Sequence, residues 1–486
     1  MSPALLHWLD NWGVYLKKKI AAAVSDTREK LGLCSEVTLP QQLRLGTDCS
    51  GLEAPIYALR GLCVQHTHEF ASECASAPRR MIEENAMPAK LMSNIFSKEA
   101  APYVHLYVSG FSCKPFSMLH HGTKLLQEEQ ARIFFGVVQR IARVRPACFV
   151  LENVLGISRV KAEVLKTLQE QGYAVEAVVM NPVDLGEPVQ RPRYYFIGAR
   201  LDVCIMPQET VHAFLTSAWA HIKESGLPHA TLADRLLPAH HPSVQRLECA
   251  REATWAKARE KGFPDKKKDA KWSQLHAQFA ALHELKQPQP GRPGGMPSPA
   301  DRLHLHLPRQ REAWTLLSQQ YEKAAALVAD LSQNVDRAAV RTDGTLPTVT
   351  PGSYLVLREA GRVVTPIEKI LVHGFPVHRM FFPAQVTDAE LASMGGNTMH
   401  VHVVAVALML ANSMVDWTLP AAHDTCIVTG PSSRRANDAS QAPESVQLED
   451  EEAADKSDAQ IGSRFSTKWG AYEVRSLTPV CIGHVD

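Results

Sequence analysis

Three kinds of side chain in this sequence could carry out one reaction together: a thiol, a carboxylate and guanidinium groups. Cys113 lies in the segment 110–117, Gly-Phe-Ser-Cys-Lys-Pro-Phe-Ser, directly after an apolar run. Glu152 comes next, and Arg191 and Arg193 follow, each beside another apolar run. A nucleophile, an acid and a cationic clamp suit attack on an electron-poor ring. We therefore predict these four residues to be catalytic.

Alternating strand and helix patterns between about residues 42 and 200 provide the elements that must position these groups. The predicted strands cover 43–45, 104–108, 148–151, 174–180 and 194–197. The predicted helices cover 54–62, 77–85, 127–144 and 160–170. This order predicts a parallel sheet covered by helices. Because ligands bind outside the carboxyl ends of such strands, we expect Cys113, Glu152 and the segment around Asp48 to face one crevice.

The composition excludes several classes of protein. The 486 residues carry 52 basic and 51 acidic side chains, a balance that argues against an indiscriminate, histone-like DNA binder but allows a local basic cleft. None of the ten cysteines forms a C-x-x-C pair, and no histidine pair accompanies them at ligand spacing, so no metal site is predicted. Without a signal-peptide pattern or an apolar run of membrane-spanning length, we expect an intracellular protein with reduced thiols and no membrane partner.

The organisation along the chain predicts five regions. They are an amphipathic helical extension (1–41), a first catalytic block (42–200), a region with basic and Pro/Gly-rich stretches (201–345), a second block (346–420) and a mostly disordered acidic tail (421–486). In the first region Leu5, Leu9, Trp12 and Leu16 share one side of the helix, which is typical of a packing helix.

The cysteine segment and the motifs around it resemble, in order, those of the C5-cytosine DNA methyltransferase family, which uses S-adenosylmethionine. The family's cysteine loop reads G-F-P-C-Q-P-F-S, and Ser112 and Lys114 replace its Pro and Gln here. We expect the charge of Lys114 to favour the Cys113 thiolate. The fold implied by the resemblance is an α/β class I methyltransferase. It has a Rossmann-like, doubly wound, mostly parallel sheet and a smaller inserted target-recognition domain at about 201–345.

The resemblance also implies a set of cofactor-binding residues. The loop Gly-Thr-Asp-Cys-Ser-Gly-Leu-Glu-Ala-Pro at 46–55 stands where the family has its glycine-rich loop, with Glu53 and Ala54 in place of two later glycines. Glu73 corresponds to the acid that holds the ribose hydroxyls, and Asn94-Ile95 to the pair near the adenine. Asn397 lies in a segment similar to the family's G-N-S-V motif. The predicted cofactor-binding residues are Asp48, Cys49, Ser50, Gly51, Leu52, Glu53, Glu73, Asn94, Ile95 and Asn397.

By the same resemblance, Glu152 contacts the target cytosine and protonates its N3, and Arg191 is the arginine that faces the base. In the family's R-x-L-T-x-x-E helix, Arg362, Thr365 and Glu368 organise structure and do no chemistry. The implied function is methyl transfer to C5 of cytosine in duplex DNA, through a Cys113–C6 adduct on a flipped-out base. Two alternatives stay open: a tRNA-methylating enzyme of the same family, and a catalytically impaired paralogue that binds nucleic acid. A nuclear location is expected if the protein is eukaryotic.

Overall fold

A seven-stranded sheet lies at the centre of the protein. Its strands are β1 (Leu43–Asp48), β2 (His66–Ser72), β3 (Lys90–Met92), β4 (Leu106–Ser109), β5 (Cys148–Val154), β6 (Tyr173–Met180) and β7 (Arg193–Arg200). The order across the sheet is β3-β2-β1-β4-β5-β7-β6, and only β7 runs antiparallel to its neighbours. This mostly parallel α/β sheet confirms the predicted fold class.

The structure is a computed structural model that describes residues 3–33, 39–113, 116, 131–225, 229–261, 271–287 and 298–419. All of them belong to one unit, Met1–Cys426. The predicted acidic tail, the lysine run 266–268 and most of the Pro/Gly-rich linker lie outside the described residues.

Helices cover both faces of the large sheet. They are α1 (Pro3–Lys30), α2 (Ala54–Gly61), α3 (Ser76–Asn85), α4 (Arg132–Val144), α5 (Lys161–Gln169) and α6 (Gln208–Ser225). Alternate residues of β4 point to opposite faces, as the period of a strand requires. Leu106 and Val108 join the apolar cluster that contains α1, α2 and α6, whereas Tyr107 joins the cluster with α4 and α5. All the predicted strands are confirmed. β2 was missed because its polar residues hide the strand pattern, and β3 was missed because it has only three residues.

The N-terminal and C-terminal helices of the described chain pack on the same face. Leu5, Leu9, Trp12 and Leu16 of α1 are buried, as predicted. The last helices are α10 (Pro366–Leu371), α11 (Asp388–Asn397) and α12 (Val401–Asn412), and α12 packs on α1, α2, β5 and β7. The stretch Asp388–Asn412 is long and apolar enough to cross a membrane by length and composition, but 89% of its apolar window is buried, as in a core helix.

A second, four-stranded antiparallel sheet stands beside the main one. Its strands are β8 (Val328–Asp330), β9 (Val340–Arg341), β10 (Leu355–Leu357) and β11 (Arg362–Val363), in the order β11-β10-β8-β9. The neighbouring helices are α7 (Pro242–Lys261), α8 (Lys271–Leu282) and α9 (Pro308–Gln320). The predicted domain boundary between residues 345 and 346 therefore falls between β9 and β10, which are strands of this one sheet. At the other border, α6 packs on α1 and β6 and so extends the main core beyond residue 200.

Candidate active site

Five parallel strands deliver the predicted residues to one edge of the large sheet. In sheet order these strands end at Met92, Ser72, Asp48, Ser109 and Val154. Segments with Asn94, Glu73, Cys49 to Gly51 and Cys113 follow the first four strand ends directly. Because β7 runs in the opposite direction, it begins at this edge, with Arg193 paired in register with Val154. A site assembled from distant parts of the chain is the result.

Cys113 is a free, partly buried thiol just beyond β4. Its carbonyl oxygen accepts a hydrogen bond from the N–H of Phe116 at 3.0 Å. Burial raises the pKa of the thiol, the carboxylate of Glu152 raises it further, and the guanidinium groups of Arg193 and Arg191 oppose the rise. Lys114, which was expected to favour the thiolate, lies outside the described residues, and the described surroundings act in the opposite direction.

The carboxylate of Glu152 forms an ion pair with Arg193. The side chain lies on β5, is 8% exposed, and has its Oε1 at 3.1 Å from Arg193 Nε. No N–H among the described residues is aligned on that oxygen as a hydrogen-bond donor. The arrangement keeps the acid beside a cation at the edge of the sheet.

Arg191, expected to face the base, has a different set of contacts. Its Nη1 donates to the backbone carbonyls of Val349 at 3.1 Å and Gly396 at 3.3 Å. Burial lowers the pKa of Arg191 to about 9, and the neighbouring Arg193 lowers it as well. The structure thus brings Arg193, and not Arg191, into contact with Glu152, while Arg191 joins two segments of the second block.

Asn153 positions the cysteine segment and was assigned no role from the sequence. Its Nδ2 donates to the carbonyl of Phe111 at 3.0 Å, and its Oδ1 accepts from the N–H of Val154 at 2.9 Å. The side chain is buried. An amide directly after a candidate acid at a strand end was the feature that could have identified it, because a buried amide needs partners.

The loop at the end of β1, within residues 46–55, was predicted to bind the cofactor and lies at the centre of this edge of the sheet. Cys49 and Gly51 both have positive φ, 53° and 61°. The N–H of Cys49 donates to the carbonyl of Ser72 at 3.0 Å, which fixes the loop to the end of β2. A Cβ added to Gly51 would meet no atom within 4 Å. Its backbone conformation therefore favours glycine, and the space above it is open.

Five side chains of the predicted cofactor set are buried in the protein and do not face an open ligand site: Asp48, Leu52, Glu53, Ser50 and Ile95. Both oxygens of Asp48 are engaged, Oδ1 by Ser72 and Oδ2 by Tyr107 at 2.8 Å and Arg140 at 3.0 Å. Leu52 is buried in the apolar core. Their side chains support the loop from below, because the last strand residue and the loop hydrophobe face the core.

Glu53, the third of these residues, is a fully buried carboxyl at a position where the family has glycine. Its Oε1 accepts hydrogen bonds from Ser50 Oγ at 2.6 Å and Thr47 Oγ1 at 2.9 Å, while Oε2 has no partner among the described residues. Burial raises its pKa to about 7. Its φ of 61° explains the preference for glycine here, because a side chain in the left-handed region costs about 1–2 kcal/mol.

Glu73 lies next to the loop that contains Gly51. Its Oε1 accepts from the N–H of Ala75 at 3.0 Å. Burial raises the pKa of the carboxyl, and hydrogen bonds from the N–H groups of Ala75, Cys74 and Gly51 oppose the rise. The carboxylate is therefore directed toward the glycine of the loop and remains partly exposed.

Asn94 and Ile95 differ in how much of the side chain is open to a ligand. Asn94 is exposed, and its Oδ1 accepts from the N–H of Phe96 at 2.8 Å. Ile95 is 2% exposed and packs in the core, and its carbonyl accepts from Arg140 Nη2 at 3.2 Å. Asn94 stays a candidate for adenine contact, whereas Ile95 supports the turn from beneath.

The second block reaches the site at the break between α11 and α12. A Cβ built on Gly110 would lie 2.9 Å from Met399 Cε, 3.4 Å from the carbonyl oxygen of Cys49 and 3.7 Å from Glu152 Oε2. These three groups therefore converge on one glycine. Asn397, at the end of α11, is exposed and lies two residues before Met399 in sequence.

Arg140 is a buried residue of the site region that the sequence reasoning missed. From α4 it donates to Asp48 and to the carbonyl of Ile95, and it stacks over Phe70 with 5.3 Å to the ring centroid. It thus joins the end of β1 to the turn after β3. A charged residue within the apolar helical pattern of α4 was the available indication.

Known proteins resemble this chain over most of the described region. The profile of the C-5 cytosine-specific DNA methylase family matches residues 92–410. The DNA (cytosine-5-)-methyltransferase DMT5 of Cryptococcus neoformans var. grubii is 24% identical over 416 residues, which are 76% of this chain and 17% of that protein. The Type II methyltransferase M.BspRI of Lysinibacillus sphaericus is 31% identical over 172 residues, 33% of this chain and 39% of that protein. The chain therefore spans less than half the length of these relatives.

Among solved structures, the S. pombe Dnmt2 methyltransferase aligns with a TM-score of 0.45 at 15% identity. The alignment covers 76% of this chain and 98% of that one. The Entamoeba histolytica methyltransferase EhMeth aligns with a TM-score of 0.43 at 14% identity and with the same coverage.

Proposed function

Because the chain belongs to the C-5 cytosine-specific DNA methylase family, we propose that it transfers a methyl group from S-adenosylmethionine to C5 of cytosine in duplex DNA. One observation carries the proposal. The thiol of Cys113 lies within the electrostatic reach of the buried ion pair of Glu152 and Arg193, at the ligand-binding edge of the sheet. A scaffold has no physical need for a nucleophile, an acid and a cation in one place.

Cytosine C5 is a weak nucleophile, and residues of this chain can make it more nucleophilic. The Cys113 thiolate would add to C6, which forms an S–C bond and moves electron density toward C5 and N3. The negative charge of Glu152 acts on the Cys113 thiol. This carboxylate can therefore take the thiol proton and deliver it to N3 of the cytosine. The positive charge of Arg193 would stabilise the adduct. C5 would then bond the methyl group that a bound cofactor supplies. Loss of the C5 proton to water, cleavage of the S–C6 bond and return of the N3 proton to Glu152 would release 5-methylcytosine and the Cys113 thiolate.

The residues at the edge fit an adenosine-type cofactor. The open space above Gly51 lets a ligand approach the backbone, Glu73 presents a carboxylate that can accept from two vicinal hydroxyls, and Asn94 is exposed near the end of β3. When bound, S-adenosylmethionine supplies an electrophilic methyl group. The chain would hold it between the loop after β1 and the segment that carries Met399.

The target base must leave the duplex to reach Cys113, at a cost of a few kcal/mol. We assign recognition of the surrounding DNA to the second sheet and to α7–α9. Arg191 donates to the carbonyl of Val349, which lies between β9 and β10, and so joins this sheet to the segment directly before β7.

Methyl incorporation from labelled cofactor into duplex DNA and into tRNA tests the proposal. The wild-type chain should label DNA, Cys113→Ser should lose the activity, and Cys63→Ser should keep it because Cys63 is exposed before the amino end of β2. Labelling of tRNA alone would favour the RNA enzyme. Cofactor binding without labelling of either polymer would favour the impaired paralogue.

A 5-fluorocytosine duplex tests the covalent step. Fluorine cannot leave C5 as the proton does, so the adduct should accumulate, and peptide mass spectrometry should place it on Cys113. An adduct on another cysteine, or none in a chain that methylates DNA, would contradict the mechanism.

A further inference from the structure

We propose that Glu187, His400 and His402 form a binding site for one zinc-type transition-metal ion, at a place separate from the candidate active site. One donor atom from each of the three side chains lies within 4.8 Å of the other two. All three residues are at least 97% buried, with exposed fractions of 3%, 1% and 0%. The inference does not depend on the proposed methyl transfer.

The imidazoles of this cluster have nitrogen atoms without partners. Both ring nitrogens of His400, and Nε2 of His402, bond to no other group among the described residues. A neutral imidazole always has one donor and one acceptor nitrogen. Leaving such a group buried and unpaired destabilises the folded state. A metal ion that accepts the lone pair of His400 would give this buried nitrogen a bonding partner.

The position of Glu187 suits a ligand shared with His402. Its Oε1 accepts a hydrogen bond from His402 Nδ1 at 3.0 Å, and a bound ion would take the place of the shared proton between these two atoms. Two donors about 2.0–2.1 Å from one tetrahedral ion are separated by about 3.3 Å, so little movement is required. Arg235 donates to both oxygens, from Nε at 2.9 Å and Nη2 at 3.3 Å, and orients the carboxylate without using all its lone pairs.

The donor set and the charge define the class of ion. Two imidazoles and one carboxylate suit Zn²⁺, whereas Mg²⁺ and Ca²⁺ prefer oxygen ligands. Arg235 already neutralises Glu187, so the lone pairs of His400 and His402 must supply most of the affinity. The surroundings are closed: the Trp12 ring lies 4.1 Å from that of His402, and Arg235 stacks on Trp8 at 4.7 Å. The site is therefore shielded from solvent, and its three protein donors leave the fourth position of a tetrahedral ion to a water molecule.

The cluster connects three distant parts of the chain. Trp8 and Trp12 belong to α1, Glu187 precedes β7, and His400 is the N-cap residue directly before α12. Met399, which approaches Gly110, is its neighbour in sequence. An ion bound here would fasten the start of α12 against α1 and the segment before β7.

Cobalt titration of the full chain after removal of metals by a chelator tests the site. Co²⁺ in a tetrahedral nitrogen and oxygen site absorbs in the visible range without the near-ultraviolet band of a thiolate ligand. We expect one equivalent to bind, Zn²⁺ to displace it, and Zn²⁺ to raise the melting temperature. His400→Gln should weaken binding more than the roughly 10–100-fold that an outer partner of a ligand carries. His212→Gln is the matched control, because that side chain is 64% exposed.

Unchanged cobalt affinity in His400→Gln, a thiolate band, or no bound equivalent would each overturn the proposal. Because a buried substitution can impair folding, X-ray absorption of the zinc-loaded wild-type chain provides a measurement that needs no variant. Two imidazoles and no sulfur around zinc support the site, and sulfur ligands refute it.

Discussion

Arg193 Nε lies 3.1 Å from Glu152 Oε1, whereas Arg191, two residues earlier, donates to the backbone carbonyls of Val349 and Gly396. The two arginines therefore differ in the groups that they contact. One is paired with the candidate acid, and the other joins segments of the second block. Their substitutions should have different consequences.

Arg193→Gln should lower the rate of methyl transfer by about 10²–10³-fold, because an electrostatic partner of the reacting groups is lost. Cofactor affinity should change little, since Arg193 contacts no predicted cofactor residue among its described partners. Single-turnover methylation and calorimetry with the cofactor check these two outcomes. A loss of cofactor affinity with an unchanged single-turnover rate would contradict the assignment.

Arg191→Gln should mainly reduce stability, because it removes two hydrogen bonds from a buried cation. Each hydrogen bond to a charged group contributes about 1.5–3 kcal/mol. The melting temperature should fall more than in Arg193→Gln. If Arg191→Gln instead keeps the wild-type melting temperature and abolishes turnover, Arg191 is the residue that faces the base, as the family resemblance implied.

Alkylation of Cys113 should report the electrostatics of the site. Burial and Glu152 raise the pKa of the thiol, so its alkylation rate should still rise with pH above the ordinary thiol pKa of about 8.5. Glu152→Gln removes the negative neighbour and should move the profile to lower pH. Arg193→Gln removes a positive neighbour and should move it to higher pH. Peptide mass spectrometry after iodoacetamide treatment measures this, with exposed Cys63 as the internal control.

Glu53→Gln should stabilise the protein at neutral pH. The pKa of Glu53 is raised to about 7, so the folded state binds a proton that the unfolded state releases above about 4.5. Stability from this group is therefore full at low pH, is lost as pH rises from about 4.5 to 7, and stays lost above. The shift corresponds to roughly 3 kcal/mol. Melting temperatures at pH 5 and 7.5 should show a larger gain at pH 7.5, and an equal gain at both would refute it.

Gly110→Ala should impair the site with a small effect on stability. The added methyl group would lie 2.9 Å from the flexible end of Met399 and would enter the space between Cys49 and Glu152. We expect about 1 kcal/mol of destabilisation and a clear fall in methylation rate. Gly352→Ala is the matched control, because a Cβ there meets no atom within 4 Å. Equal activity of the two variants would show that the convergence at Gly110 has no role in the reaction.

The sequence predicted β1, β4, β5, β6 and β7, because buried strands are continuous apolar runs, and it predicted the helices between them from their periodicity. It did not predict β2 and β3, which also end at the site. It could not predict the direction of each side chain. Asp48 and Glu53 both lie in the segment 46–55. Asp48 pairs with Arg140 on a helix about ninety residues away, whereas Glu53 turns under its own loop. These outcomes depend on long-range packing, which local patterns do not contain.

The position of α12 also has a consequence for the synthesis of the protein. This helix is buried against α1, α2, β5 and β7, so its place stays vacant until the ribosome has made the chain beyond residue 412. The cysteine segment and the cofactor loop emerge much earlier. Contacts between such distant segments form late, because a long loop must close first. A nascent chain would therefore carry every candidate catalytic residue and yet have an uncovered apolar surface, which is the period when chaperones would bind it.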